Sequence, residues 1–289
     1  MLNKQRIAFI GAGSMAEAMI SGFVNSEKVP ADQIIVTNRN NQERLQELEN
    51  KYGIKTSKRE DIQFDHVDIL ILAMKPKDAD IALQSIKEYI KPHQLVLSVL
   101  AGISTFFMEQ NLQAGQAVIR VMPNTSSMIG ESATALSPGQ FTTKQQVAIA
   151  AELLKTIGEA YIIEEEKMDI FTGIAGSGPA YFYFLMEHME QEGLTGGLDA
   201  ETTRQIIAQT IAGAAKMIQS QNETPTVLRE NVTSPNGTTE AGLKALESKG
   251  GGKAIAEAIK HAATRSKEIS SQLEENLVNQ KVEKAKVMV

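Results

Sequence analysis

The chain has 289 residues, which exceeds the usual size of one hydrophobic core, and its 42% apolar content is enough for ordinary globular cores, so two domains are expected. The absence of cysteine excludes disulfides, thiolate metal sites and a cysteine nucleophile. A net charge of −6 with dispersed basic residues argues against nucleic-acid binding, and no apolar run approaches the roughly 18 residues that a membrane span requires.

The N-terminus does not have the pattern of a secretion signal. Lys4, Gln5 and Arg6 come almost immediately, and no long apolar core precedes or follows them. We therefore expect a cytoplasmic protein without a membrane partner.

Short apolar runs alternate with helical patterns in the first half of the chain, which is typical of a parallel sheet with helices on its faces. The predicted strands are residues 7–10, 34–37, 69–73, 95–99, 117–122, 133–136 and 160–163. The predicted helices are residues 14–25, 41–51, 78–90 and 143–156. This layout predicts an α/β, doubly wound (Rossmann) dinucleotide-binding domain over residues 1–164.

A glycine-rich turn follows the first predicted strand. It contains Gly11, Ala12, Gly13, Ser14, Met15 and Ala16. Such a pattern alone is weak evidence, but here an apolar strand precedes it, a helix follows it, and a second strand ends at the expected separation. Gly11 permits the turn, and Gly13 lets a pyrophosphate approach the backbone at the positive helix end. The alternative is a merely tight strand-to-helix turn.

The end of the second predicted strand indicates which dinucleotide is bound. An NAD-preferring site usually carries Asp or Glu there, whereas this chain has Asn38, Arg39 and Asn40. Arg39 could pair with a ribose 2′-phosphate while Asn38 and Asn40 add neutral hydrogen bonds, so NADPH is favoured over NADH. The alternative is a solvated surface arginine.

Two further loops follow predicted strands at the carboxyl edge of the sheet, where ligands of such folds collect. The first contains Ala73, Met74, Lys75 and Pro76, and the second contains Asn124, which could face the nicotinamide. Each is also explained by a structural role, for example Lys75 as a surface charge and Pro76 as a strand terminator.

The second half of the chain predicts helices only. They cover residues 167–192, 199–220, 225–232, 238–248 and 253–275, with Asp199 as an N-cap. The sequence 177–179, which contains Pro179, should interrupt or kink the first of them. We predict an all-α C-terminal dimerisation domain over residues 165–275, followed by a polar tail over 276–289.

Small hydroxyl residues and a glycine stand where the helix 238–248 should begin. Free amides of Gly237, Thr238 and Thr239, with the hydroxyls of Ser234, Thr238 and Thr239, would form a pocket for a small carboxylate. A dinucleotide and a small acid on one chain suggest redox chemistry.

Four sets of residues together carry a resemblance to one enzyme family. They are the turn 11–15, the run 73–76, the run 122–125, and the stretch 228–243 with 177–181 before it. Up to residue 275 the chain resembles pyrroline-5-carboxylate reductase, and the stretch 228–243 is the most specific element.

The resemblance implies an NADPH-dependent enzyme, with some use of NADH, that completes proline biosynthesis by reducing the C=N bond of a cyclic imino acid. It implies that Ser234, Gly237 and Thr238 hold the substrate carboxylate, with Thr238 near the ring nitrogen as the catalytic residue. It also implies homodimers through the helical domain, which can assemble into rings of dimers such as a decamer.

Two positions depart from the family pattern. Ser126 stands where a second proline usually follows Met-Pro-Asn-Thr, and Asn236 stands where a glycine usually follows Ser-Pro. Asn tolerates positive φ better than other non-glycine residues, so the turn before Gly237 is expected to persist. Ser126 affects only the expected stiffness of its loop.

Two other functions are open from the sequence. A β-hydroxyacid dehydrogenase would carry a catalytic lysine in the glycine-rich segment 171–178, which has none. A regulator that binds NADPH without turnover is the second alternative. No metal site is predicted. The histidines are scattered along the chain and are predicted to be structural; these are His66, His93, His188 and His261.

Overall fold

The structure is a computed structural model that describes residues 2–287, with the backbone alone at positions 277 and 280–287. Its contacts divide the chain into two compact units. The first comprises Met1–Gly176 and Ala262–Val289, and the second comprises Ser177–His261. The domain ends predicted at residues 164 and 275 stay predictions.

The first unit contains one eight-stranded sheet. Its strands are β1 (Ile7–Ile10), β2 (Ile34–Thr37), β3 (Lys55–Thr56), β4 (Ile69–Leu72), β5 (Leu95–Ser98), β6 (Ala117–Met122), β7 (Ser132–Pro138) and β8 (Gly158–Ile162). Their order is β3-β2-β1-β4-β5-β6-β7-β8. β2 and β3 therefore lie on one side of β1, and β4 and the later strands lie on the other. This reversal of strand order creates the switch point where ligands of this fold class bind.

The predicted parallel sheet has one exception. β7 pairs with β6 antiparallel, while the other neighbours are parallel. Only residues 123–131 connect β6 to β7, which is too short for the crossover that a parallel neighbour needs. The helix between β7 and β8 is long enough, so β8 runs parallel to β7.

Helices cover both faces of this sheet. They are α1 (Ser14–Asn25), α2 (Gln42–Tyr52), α3 (Ala79–Lys87), α4 (Thr105–Asn111), α5 (Lys144–Leu154) and α6 (Met168–Phe171). Alternate side chains of β1 enter two separate cores: Phe9 packs with residues of α1, α2 and α5, and Ile10 packs with residues of α3 and α4. This two-sided burial explains why the central strands have continuous apolar sequences.

A π-helical turn over Thr172–Gly176 follows α6 and ends the continuous part of the first unit. The next helix begins at Gly178, so the predicted interruption at residues 177–179 is confirmed. Pro179 lies in the first turn of that helix, where no intrahelical donor is required.

The second unit is entirely helical. It contains α7 (Gly178–Thr195), α8 (Ala200–Ser220), α9 (Pro225–Asn231), α10 (Thr238–Ser248) and the beginning of α11 (Gly251–Val287). Asp199 caps α8 as predicted, since its carboxylate accepts from the Thr202 amide at 2.9 Å. α11 continues well beyond the predicted end at residue 275, and its later residues belong to the first unit.

Little of the second unit is buried. Among the described residues, α8 buries only Thr203 and Ile207, and α9 and α10 bury none. Large apolar side chains of α7 and α8 are exposed, among them Phe182, Tyr183, Phe184, Leu185, Ile206 and Met217. Within the described part of the chain, no helix has the length and apolar character needed to cross a membrane.

Candidate dinucleotide and substrate sites

A cavity of about 1120 Å³ opens at the carboxyl ends of β1, β2, β3 and β4. Ten residues predicted to bind cofactor line it: Gly11, Ala12, Gly13, Ser14, Met15, Asn38, Arg39, Ala73, Met74 and Lys75. Pro76 and Asn124 were predicted with them but are not among its lining residues. These ten residues belong to the loops after β1, β2 and β4, which are distant along the chain but meet at one cavity.

The backbone at Gly11 lies close to that of Ala73, in the loop after β4. The φ of Gly11 is +115°, and a Cβ there would lie 2.4 Å from the Ala73 carbonyl oxygen. Its amide donates to the Thr37 carbonyl at 2.8 Å, so the turn joins the ends of β1 and β2. Among the described residues no side chain caps α1, whose N-cap is Gly13, so the first-turn amides remain available for an anion.

Arg44 of α2 stabilises this turn through a hydrogen bond to its backbone. Its Nε donates to the Ala12 carbonyl at 3.1 Å, and its guanidinium forms ion pairs with Glu17 and Glu47. Hydrogen bonds from Arg44 and Lys51 lower the pKa of Glu17 to about 2. Two carboxylates thus already compensate the Arg44 charge. This contact could not be predicted from the sequence, because Glu17 and Arg44 are distant along the chain.

The rest of the cavity lining forms a basic wall, in which cations outnumber the carboxylates of Glu60 and Asp78. Arg39, Lys58, Lys75 and Lys77 are exposed there, and in the described part of the chain they form no ion pair. Arg59 is half-buried among them, and its Nη1 donates to the Ser85 hydroxyl at 2.7 Å. Burial, followed by the charge of Arg39, lowers the pKa of the Arg59 guanidinium below its ordinary value. Sequence reasoning missed Lys58, Arg59 and Lys77.

Asn124 holds two segments of the first unit together. Its Nδ2 donates to the Ala175 carbonyl of the π-helical turn at 3.0 Å, and its Oδ1 accepts from the Ser126 amide at 3.0 Å. A proline at position 126 could not donate this second bond. Ser126, which replaces the usual proline of the family, therefore adds a hydrogen bond to the Asn124 side chain that closes the loop. The nicotinamide contact of Asn124 stays a prediction.

The predicted carboxylate site lies at the start of α10 in the second unit. Asn236 has φ +58°, as expected for the residue that replaces a glycine in this turn. A Cβ on Gly237 would lie 2.9 Å from the Ser234 carbonyl oxygen, so glycine is required at that position. Ser234, Thr238 and Thr239 are exposed. The turn therefore gathers the predicted hydroxyl residues at one helix start.

One part of that prediction is wrong. The Gly237 amide is not free, because it donates to the Ser234 carbonyl at 3.0 Å to close the turn. The amides of Thr238 and Thr239 belong to the first turn of α10, which has no intrahelical acceptors for them. The amides of Thr238 and Thr239, with three hydroxyls beside them, stay available at this helix start, and their binding of a carboxylate stays a prediction.

Glu240 is the acidic neighbour of this turn. Its carboxylate accepts from the Asn236 amide at 2.7 Å and pairs with Lys244 at 2.9 Å. The bonds from Lys244 and from the Asn236 amide hold the pKa of Glu240 below its ordinary value. The Glu240 charge is therefore compensated within α10 and its preceding turn.

Two family models match the chain in the same places as these features. Residues 6–102 match a model described as NADP oxidoreductase, coenzyme F420-dependent. Residues 165–269 match a model described as pyrroline-5-carboxylate reductase dimerisation. The first match contains the dinucleotide turn and basic wall, and the second contains the exposed helices and the start of α10.

Individual proteins match over nearly the whole length. Pyrroline-5-carboxylate reductase 1 of Bacillus spizizenii is 59% identical, with 95% of this chain and 92% of that protein covered. A pyrroline-5-carboxylate reductase structure from Coxiella burnetii has a TM-score of 0.85 at 30% identity, covering 92% of this chain and 99% of that one.

A Plasmodium falciparum pyrroline carboxylate reductase structure with NADP bound has a TM-score of 0.82 at 25% identity. It covers 93% of this chain and 100% of that one. The predicted fold class, an α/β doubly wound domain followed by a helical dimerisation domain, is confirmed. By sequence and by fold, the chain belongs to the pyrroline-5-carboxylate reductase family.

Proposed function

We propose that the protein reduces 1-pyrroline-5-carboxylate to L-proline with NADPH, as the last step of proline biosynthesis. The observation that carries this proposal is the cavity at the ends of β1 to β4, whose turn and basic wall suit an anionic dinucleotide. Relatives of the same family match the chain over both units.

The residues of the cavity fit NADPH in two respects. Gly11 and Gly13 leave the backbone bare next to the uncapped start of α1, where a pyrophosphate would bind. Arg39, Asn38 and the neighbouring cations would hold the 2′-phosphate. Bound NADPH supplies the hydride. The protein residues bind and orient it against the sheet edge.

The substrate carboxylate would bind at the start of α10. The hydroxyls of Ser234 and Thr239 and the amides of Thr238 and Thr239 provide the donors, and Gly237 provides the tight turn. The Thr238 hydroxyl would hydrogen-bond the ring nitrogen while it changes from imine to amine. A protonated cyclic imine is already electrophilic, so the reaction needs positioning more than a strong base. Positioning of two reactants can contribute about 7–11 kcal/mol.

The proposed assembly is a homodimer through the helical domain, with further association into a decamer. The exposed apolar side chains of α7 and α8 support the dimer, because extensive exposed apolar surface on a folded protein marks an interaction site. The proposed location is the cytoplasm, where a biosynthetic reductase meets its reduced cofactor.

The test is turnover of 1-pyrroline-5-carboxylate by the full chain, followed through the loss of reduced nicotinamide absorbance with NADPH and with NADH. We expect turnover with both and a preference for NADPH. Binding of NADPH without turnover would overturn the enzyme proposal and favour the regulator.

The role of Thr238 has its own test. Thr238→Ala should lower kcat by about 100-fold, because a donor to the reacting nitrogen is lost, and should leave the KM for NADPH unchanged. Thr226→Ala removes another exposed threonine of the second unit, in α9, and serves as the matched control. Unchanged kcat in Thr238→Ala would remove the proposed hydrogen bond.

A further inference from the structure

We propose that Arg59, a residue outside the dinucleotide fingerprint, binds the 2′-phosphate of NADPH together with Arg39 and is a main determinant of the preference for NADPH over NADH. This inference rests on the proposed function only in requiring that NADPH binds in the cavity.

Sheet topology places the two arginines side by side. β3 pairs with β2 in parallel, so the carboxyl ends of both strands lie at the same edge. The pairing continues beyond β3, since the Ser57 amide donates to the Val36 carbonyl at 3.1 Å. Arg39 follows the end of β2, Arg59 follows the end of β3, and both line the cavity. The 2′-hydroxyl of a bound dinucleotide is recognised at the end of the second strand of such folds.

The Arg59 side chain is held in place by α3. Its Nη1 donates to the Ser85 hydroxyl at 2.7 Å, and that hydroxyl donates in turn to the Ala82 carbonyl at 2.7 Å. A guanidinium has further N–H donors in a planar fork, and those of Arg59 have no other hydrogen-bond partner among the described residues. The group is thus oriented in advance and keeps donors free for a ligand.

Arg59 lies in a cavity lining that holds more cations than carboxylates. No carboxylate pairs with it in the described part of the chain, although it is half-buried. Arg39 adds a like charge close enough to lower the pKa of the Arg59 guanidinium further. A half-buried cation beside a second cation is unfavourable unless an anion joins them. A phosphate dianion would compensate both charges at once.

Arg44 shows the contrast within the same cavity. Its ion pairs with Glu17 and Glu47 already compensate its charge, and its Nε is bound to the Ala12 carbonyl. Arg44 therefore supports the turn. Within the part of the chain that the structure describes, Arg59 keeps unpaired donors and an unpaired charge, as a ligand-binding residue does.

The ligand is a 2′-phosphate and not the pyrophosphate, because the pyrophosphate binds at the start of α1 after β1. β2 separates β1 from β3, so Arg59 lies beyond the Arg39 loop from that helix start. NADH has no phosphate at this position. A role in stacking on the adenine would affect NADPH and NADH equally.

The experiment measures binding of 2′,5′-ADP and of 5′-AMP to the full chain by calorimetry, which does not depend on turnover. Arg59→Ala should weaken 2′,5′-ADP binding by about 10- to 100-fold and leave 5′-AMP binding within about twofold. Arg59→Lys should give an intermediate loss, because it keeps the charge but loses the fork. In the assay the KM for NADPH should rise while that for NADH stays constant.

Two further variants complete the design. Ser85→Ala should give a smaller loss of 2′,5′-ADP binding than Arg59→Ala, since it removes only the anchor. Lys55→Ala removes an exposed cation from β3 outside the cavity and should change neither ligand. Thermal unfolding of each variant identifies any that fail to fold. If Arg59→Ala fails to fold, Arg59→Lys still tests the inference.

Equal losses for both ligands, or no loss in either arginine variant, would overturn the inference. A wild-type protein that binds 5′-AMP but does not discriminate 2′,5′-ADP from it would also overturn it. Discrimination of 2′,5′-ADP that depends on Arg59, in a protein that does not turn over 1-pyrroline-5-carboxylate, would support the inference and contradict the proposed function alone.

Discussion

The two units bury their apolar residues in different ways. In the first, helices cover both faces of the sheet and the side chains of the central strands are almost fully buried. In the second, the helices α7 to α10 bury very few side chains, and Phe184 is 60% exposed. The first unit thus completes its core within one chain, whereas the second has apolar surface suited to a second copy. The dinucleotide cavity lies in the first unit.

The largest expected effect is on association through the second unit. Phe184→Asp places a charge in the exposed apolar face of α7 and should weaken the dimer by about 30- to 1000-fold, which is the range for central interface side chains. Light scattering and sedimentation over a concentration series would measure the dissociation. Phe106→Asp changes an exposed aromatic residue of α4 in the first unit and should leave the dimer intact. If the wild-type protein is a monomer at assay concentrations, the idea that the second unit binds a second copy through its apolar surface is contradicted.

The next effect concerns the internal stability of the first unit. Arg120 of β6 is buried, pairs with Glu165 at 2.7 Å, and Glu165 also accepts from the Thr105 hydroxyl at 3.0 Å. Glu165→Ala leaves the Arg120 charge buried without a partner. Because the Glu165 side chain is itself 26% exposed, the expected loss in the free energy of unfolding lies below the range for a fully buried pair, at about 2–3 kcal/mol. Denaturant unfolding would measure it.

Two controls sharpen that test. Glu166→Ala removes an exposed neighbouring carboxylate and should have little effect. The double variant Arg120→Met with Glu165→Leu replaces both charges by apolar groups and should recover much of the loss. A loss in Glu166→Ala equal to that in Glu165→Ala would show that the buried pair is not the cause.

The smallest effect depends on pH. The pKa of Glu17 lies at about 2 in the folded chain, below its ordinary value of 4.5. The ionised form is therefore favoured by folding, so its contribution is fully present above pH 4.5 and is lost as the pH falls towards 2. Glu17→Gln should cost on the order of 2 kcal/mol at neutral pH, and the difference from wild type should shrink on acidification.

Thermal unfolding at several pH values would follow this difference, and Glu43→Gln, which changes an exposed glutamate of α2, is the control. A difference that stays constant from pH 7 to pH 3 would contradict the role of the Glu17 charge. Because Glu17 holds Arg44 against the Ala12 carbonyl, the same variant should also weaken NADPH binding slightly.

The elements that could be predicted from sequence are those with a strong local pattern. β1, β2 and β6 are apolar runs that end where predicted, and α1 begins directly after the glycine turn. β3 could not be predicted, because it is only two residues long and is held by pairing with β2. α4 was also missed, since a seven-residue helix has too few turns for a periodic pattern.

The candidate sites divide in the same way. The turn after β1 and the hydroxyl run before α10 are local motifs, so their residues could be named from the sequence. Arg59 could not, because its importance depends on β3, which brings it beside Arg39. The use of the Gly237 amide within its own turn was equally hidden, since a motif gives residue types but not hydrogen-bond partners.

α11 has a consequence for the order in which the chain can fold. It begins in the second unit and returns the chain to the first, where Leu273 packs on the core and Glu274 accepts from the Ser104 amide at 2.8 Å. A ribosome that has released only residues 2–176 has therefore not yet supplied every contact of the nucleotide-binding unit. Docking of that unit's last helix must wait until the whole intervening helical unit has been synthesised.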